Sequence, residues 1–427
     1  MLKYQHALGC AVLAVVLMAG PGIADGPASA PTATTADDCK CGSGTAPQAN
    51  GVPGLLSAVS SSVTGTEQKA EEKKPEVVEP LFVRPLVQIE PNRNDSNPVW
   101  SPRGTLISFE RSVGDKKEIR IVLPDGTPVQ TVYHVLSNSG KEMKFFFPGI
   151  SEEISYNAGI TWAAAEDRFA FMSNGGEGNY DLYRMDLGND VALRLTDHKE
   201  KDGQAHWSPA ANRIVFISGR TGSGDAYLMD VGTRVLTRLT RGGMTHLYPQ
   251  WSPDGRKIVM MRGSNENHDI VLIADIKQPM ESQRALTTWS FDDMRPTWSP
   301  DNKKIAFYSN YNAANDPKIW SIFVVAADGS DPTEGDGLAA LVVAHDVVPD
   351  VETGPAWMPD SNRIIFVKND RQEYNPLYVA DLGKKTAALI KTETKMNHDV
   401  ACSVEGTIAF RAQVNQWDQI YMMKLKD

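Results

Sequence analysis

The chain has 427 residues, a formal net charge of −10 and a hydrophobic fraction of 41%. That length holds two domains or one large β domain. The acidic balance excludes nucleic acid as the main partner, because neutralising phosphates needs clustered Lys and Arg.

In chain order, Lys3 precedes an apolar stretch, Ala7–Gly20, that is too short to span a bilayer comfortably, and Gly22-Ile23-Ala24 forms a small-residue cleavage site. Residues 1–24 read as a signal peptide cut before Asp25. Leu8-Gly9-Cys10 lies ahead of most of the apolar run, which argues against a lipid anchor. No second apolar run is long enough to cross a membrane, so the mature chain is expected to be periplasmic or otherwise exported, with no transmembrane segment, and monomeric. Residues 25–80 lack sustained apolar periodicity and are rich in Ala, Gly, Pro, Ser and Thr, then charged from Glu67 to Glu79. Such a segment buries too little apolar surface to offset its ordering entropy and reads as a flexible tether, with a short helix near 54–63 as its one local option. Cys39 and Cys41 lie within it, and two cysteines alone do not make a zinc site.

From residue 81 to 427 the chain repeats. The units are marked by Trp100, Trp162, Trp207, Trp251, Trp298 and Trp357, with Cys402 in the seventh Trp place. The steps from Trp162 to Trp207, Trp251 and Trp298 are 45, 44 and 47 residues. The clearest unit reads Trp251-Ser252-Pro253-Asp254-Gly255, then β-rich Lys257–Met261, a polar tip, Asp269–Asp275, and a last run ending at Thr287. Pro-Asp-Gly favours a tight turn, and the Trp is a wedge suited to the gap between adjacent blades. Four short strands per repeat predict an all-β β-propeller of four-stranded blades, seven favoured over six. The run Pro85–Glu90 is expected to be the N-terminal strand that closes the last blade and removes its exposed edge.

The WSPDG units, together with Asn179–Asp186 and Arg194-Leu195-Thr196, resemble the TolB-type propeller repeat over residues 81–427. In that family the resemblance implies a periplasmic member of the Tol-Pal envelope system that binds a lipoprotein. The family's α/β domain ahead of the propeller has no counterpart in the sequence, and TolB has six blades where seven units are counted here. Fold and function separate, so the resemblance is specific for the repeat and less so for the role.

No G-x-S-x-G and no H-E-x-x-H is present, and no α/β region remains to hold a triad. The expected function is a non-enzymatic, exported scaffold or recognition module. Its partner would be an envelope protein or lipoprotein, or a glycan, with no cofactor and no metal. The alternative is a carbohydrate-active, lyase-like propeller with a metal site at the channel mouth, since oligogalacturonide lyases resemble this chain in their repeats. Loops entering the innermost strands converge on the channel, which makes Asp95, Asn97, Asp202, His206, His246, Asp293, Arg295, His398 and Asp399 the candidate binding residues. His198, Asp292 and His345 lie on the same loops. His246 and His398 are expected to face each other across the channel. The acidic stretch Asp328–Asp336 misses the EF-hand order.

Overall fold

The computed structural model describes residues 75–114, 116–132, 157–175, 179–264, 267–311, 319–331, 341–350, 352–371 and 374–426. The expected signal peptide, residues 25–74 of the tether, Cys39, Cys41, the 54–63 helix and most of the acidic loop lie outside them.

Seven sheets, antiparallel but for one added strand on the sixth, follow one another in chain order. Blade 1 is β3 (Asn94–Trp100), β4 (Ile107–Val113), β5 (Lys116–Val122) and β6 (Pro128–Val132). Blade 2 is β7 (Asn157–Trp162), β8 (Arg168–Ser173), β9 (Asp181–Asp186) and β10 (Ala192–Arg194). Blade 3 is β11 (Asp202–Trp207), β12 (Arg213–Ser218), β13 (Asp225–Asp230) and β14 (Leu236–Arg238). Blade 4 is β15 (Thr245–Trp251), β16 (Ile258–Ser264), β17 (Asn267–Ile273) and β18 (Gln283–Ala285). Blade 5 is β19 (Asp293–Trp298), β20 (Lys304–Ser309), β21 (Trp320–Ala326) and β22 (Val342–Val347). Blade 6 is β23 (Ala356–Trp357), β24 (Arg363–Val367), β25 (Leu377–Asp381) and β26 (Thr386–Ile390). Blade 7 is β27 (Lys395–Cys402), β28 (Thr407–Val414), β29 (Trp417–Leu425) and β2 (Pro80–Pro85).

The ring is therefore a seven-bladed propeller closed by an N-terminal strand, as the repeat predicts. The closing strand lies five residues earlier than Pro85–Glu90. Pro80–Pro85 pairs with β29, and Leu86 N–H adds one bond to Ile420 O (2.8 Å). Beyond it the chain leaves the sheet, and Glu90 bonds Arg93 and Arg111 instead. Strand structure is also present before residue 81. Strand β1 (Glu76–Val78) pairs in parallel with β26 as a fifth strand on blade 6.

Second and third strands are rich in Ile, Val and Phe and buried on both faces, as in Ile214–Ile217 and Ile258–Met261. Each core lies between neighbouring blades. Val215 and Ile217 of blade 3 pack with Ile258 and Met260 of blade 4, and Phe109 of blade 1 packs with Ile420 and Met422 of blade 7.

The WSPDG turn ties this stack together. Ser252 is fully buried, and its Oγ accepts Lys257 N–H (3.0 Å). Ser101, Ser299 and Ser403 cap the same turn in their blades. Trp298 Nε1–H donates to Gln250 O (3.4 Å), Trp357 to Thr297 O (3.3 Å) and Trp100 to Ala401 O (3.2 Å), each on the preceding blade. The residue four after the Trp is left-handed in six blades: Gly104, Glu166, Gly255, Asn302, Ser361 and Gly406. Where it is not Gly, its side chain accepts a turn N–H from the blade before. Asn302 takes that of Asp254 (3.0 Å), Ser361 that of Asp301 (3.0 Å), and Glu166 that of Arg103.

Candidate functional site

Counting back from each Trp explains the candidate residues. The fifth residue before it is Asp95, Asn157, Asp202, His246, Asp293, Glu352 and Asn397 in blades 1 to 7. All but Glu352 are fully buried. The third residue before it is Asn97, Gly159, Gln204, Tyr248, Arg295, Gly354 and Asp399, and all seven have positive φ (50° to 89°). Register shifts mark a bulge there in six inner strands. A bulge bends the strand and re-aims its side chains. Five non-glycine residues hold this unfavourable backbone, a cost of about 1 kcal/mol or more each.

Their amides are used between blades. Asp399 Oδ2 accepts Asn97 N–H (3.1 Å), and Gln204 Oε1 accepts Tyr248 N–H (2.8 Å). The Arg295 guanidinium lies over the Tyr248 ring, 3.2 Å from its centroid, and Nη1 donates to Glu352 O (2.8 Å). Burial and the Asp399 charge raise the Asp350 carboxyl, while Thr353 Oγ1–H bonds it (2.6 Å).

Most of the remaining candidates are consumed by the architecture. Asp95 is held by Arg111 through Nε (2.6 Å) and Nη2 (2.8 Å), with both side chains buried. Asp202 pairs with Arg220 (3.1 Å) and Asp399 with Arg411 (2.7 Å). Asp293 sits wholly inside the protein, where burial pushes its carboxyl up to about 8, so it is a neutral acid near pH 7 rather than a rim charge. His206 Nδ1 accepts Trp251 N–H (3.3 Å), and burial pushes the imidazole down to about 4. His398 is likewise pushed down to about 4 by burial and Arg411, with Nε2 3.2 Å from Asn375 Nδ2.

His246 requires a correction. It lies within β15 and is fully buried, 3.9 Å from Asp225 of blade 3, so it does not face His398 across an open channel. His198, Asp292 and His345 are also local anchors. His198 Nδ1 accepts Glu200 N–H, Asp292 bonds His268 (2.7 Å), and His345 lies 3.2 Å from Ser321 Oγ. The Ser321–His345 pair resembles a hydrolytic dyad, but Ser321 is fully buried. It occupies the place where Asp181 meets Thr196 (3.1 Å) and Asp225 meets Thr240 (2.8 Å), a strand-to-strand tie. Among the described residues, no three His, Cys, Asp or Glu side chains are placed to hold a metal together.

The open concavity lies at the Trp end of the inner strands. It is a mouth of about 540 Å³ to which every blade contributes, through its Trp or, in blade 7, Cys402, and through Val99, Ala205, Pro300 and Ala356 between them. The Cys402 thiol is pushed up to about 12 by burial, beside Met358 Sδ (3.8 Å), so it contributes packing rather than a thiolate. Of the sequence candidates His206 lines this mouth; sequence reasoning missed the rest of its lining, along with Tyr248. The signal was available, because these residues stand at repeat positions already aligned by the Trp.

A ring of seven such blades, with inter-blade ties through its WSPDG turns, defines the class as a seven-bladed β-propeller. Residues 150–334 match the family model described as TolB beta propeller domain. No curated protein sequence matches it. Among solved structures, TolB from Acinetobacter baumannii is 16% identical, with 73% of this chain and 66% of that one covered, just under two thirds of it, at a TM-score of 0.46. An oligogalacturonate lyase from Vibrio parahaemolyticus is 13% identical, covering 81% of this chain and 94% of that one at a TM-score of 0.58. A puromycin-hydrolyzing peptidase from Mycobacterium tuberculosis is 12% identical, covering 79% and 53% at 0.55. At these identities the likeness is one of fold.

Proposed function

We propose that this is an exported recognition protein that holds a partner protein of the cell envelope at its Trp-lined axial mouth, without chemistry of its own. The observation that carries the reading is the mouth itself, a concavity of about 540 Å³ to which all seven blades contribute, lined by Trp, Pro, Ala and Val with His206, Gln250, Thr297 and Glu352 among them. Binding sites are typically concave and largely apolar with a few polar groups. The channel-side charges support the same reading, since Asp95, Asp202 and Asp399 are each matched by an Arg. Export is supported by the Ala7–Gly20 stretch and by the TolB-type repeat. No helix among the described residues is long and apolar enough to cross a membrane.

The test places a charge where the partner would sit. Ala205→Arg in the mature chain should abolish capture of the envelope protein that the unmodified chain retains, with an unchanged melting temperature. Capture of no protein by the unmodified chain, together with cleavage of a polyuronide by the same preparation, would overturn the proposal in favour of a lyase-like enzyme.

A further inference from the structure

The outer edge of blade 6 differs from the other six. Outer strands expose unpaired N–H and C=O groups, and proteins blunt them with charges, prolines or a cover. Strands β10 (ALR), β14 (LTR) and β18 (QRA) each carry an Arg, β22 carries His345 and Asp346, β6 begins with Pro128, and β2 holds Arg84 between two prolines. Strand β26 (Thr386–Ile390, TAALI) has neither a charge nor a proline. It is covered instead by β1, which is the one parallel pairing among the described strands.

That cover is thin. Strand β1 is three residues long, with Glu76 and Val77 exposed and only Val78 half-buried against the blade 6–7 core. Lys391 N–H donates to Val78 O (3.0 Å), and the Glu79–Lys391 ion pair (2.9 Å) is exposed. Exposed pairs contribute little. Beneath it, Ala388 and Ile390 are buried, so the edge itself is firm.

We propose that the β26 edge is a peptide-docking site, filled in cis by Glu76–Val78. An extended segment of a second protein, with two adjacent aliphatic residues followed by an acid, displaces it by parallel strand addition. Main-chain bonds would supply affinity, and the Val78 contact and the Lys391 charge would supply selectivity. This does not rest on the axial mouth, which opens at the other end of the blade.

Two measurements test it. By amide hydrogen exchange of the unmodified full chain, the Lys391 amide should exchange at least tenfold faster than those of Ile364 and Val379 in β24 and β25. Equal protection would make β1 a permanent strand and overturn the proposal. A labelled peptide of residues 75–80 (PEVVEP) should bind a full-chain Val78→Asp variant at least tenfold more tightly than the unmodified chain. Equal affinity, or no binding to a folded variant, would also overturn it.

Discussion

Replacing Gly255 by Ala probes whether the WSPDG turn is a joint between blades. Gly255 has φ +71°, and a Cβ there would stand 2.5 Å from Ala210 Cβ and 3.3 Å from Ala210 N on blade 3. The left-handed backbone costs an L-residue about 1–2 kcal/mol, and the overpacked contact adds about 1–3 kcal/mol. The expected loss is therefore roughly 2–5 kcal/mol. At about 2.1 cal/mol/K of unfolding entropy per residue, a ring of roughly 350 residues loses about 1–2 °C per kcal/mol. The melting temperature should fall by about 3–7 °C in a calorimetric scan. The decisive comparison is the Ala210→Gly background, which removes the clash but leaves the backbone term. There the same substitution should cost only about 1–2 kcal/mol, a coupling measured by a double-mutant cycle. An identical cost in both backgrounds would refute the inter-blade joint.

Three further outcomes follow from the buried polar groups. Asp95→Ala leaves Arg111 buried without its bidentate partner and should destabilise by about 3–5 kcal/mol, most of it regained in Asp95→Leu with Arg111→Met; denaturant midpoints decide. Asp293 binds a proton in the native state up to about pH 8, whereas the unfolded group releases it near its ordinary value. Its contribution to stability is full below about pH 4 and lost as pH rises through 8, so the stability gap between Asp293→Asn and the unmodified chain should widen over that window; a constant gap refutes the assignment. His206 has the opposite sense. Its native value of about 4 lies below the unfolded 6.5, so its contribution is intact above pH 6.5 and lost as pH falls toward 4. Replacing His206 by Ala should cost about 1–3 kcal/mol by orphaning the Trp251 amide, and that amide should exchange faster with solvent.

The Trp pitch and the Pro-Asp-Gly turns made the ring and its blade count legible, because each repeat is one supersecondary unit with its own punctuation. The closing strand was less so. Val87–Glu90 alternates apolar and polar residues as a half-buried strand should, whereas Pro80–Pro85 begins and ends with proline. Proline is tolerated on an outermost strand, whose outward N–H has no ladder to serve, and only the position of β29 reveals that. The candidate site was half legible. His246 looked functional as an isolated residue. Alignment on the Trp puts it in a column with Asp95, Asn157, Asp202, Asp293 and Asn397, all buried, and a column that repeats around a ring reports architecture. The left-handed column two residues later was not legible, since Asn, Gln, Tyr, Arg and Asp share no local preference strong enough to announce it.

The pairing of β2 with β29 joins residues 80–85 to 421–425. Apart from the added β1–β26 pairing, every other ladder among the described strands is local, so the four-stranded cores of six blades can form as the chain emerges, but the seventh waits for the last strand to reach the first. Closing so distant a contact pays its loop entropy before any reward. Until then the outer edge of β29 and the Leu86–Phe109 core lie open, and assembly of the ring is a late, all-or-none event. Quality control of this protein would therefore act on chains that are nearly complete, at a single seam.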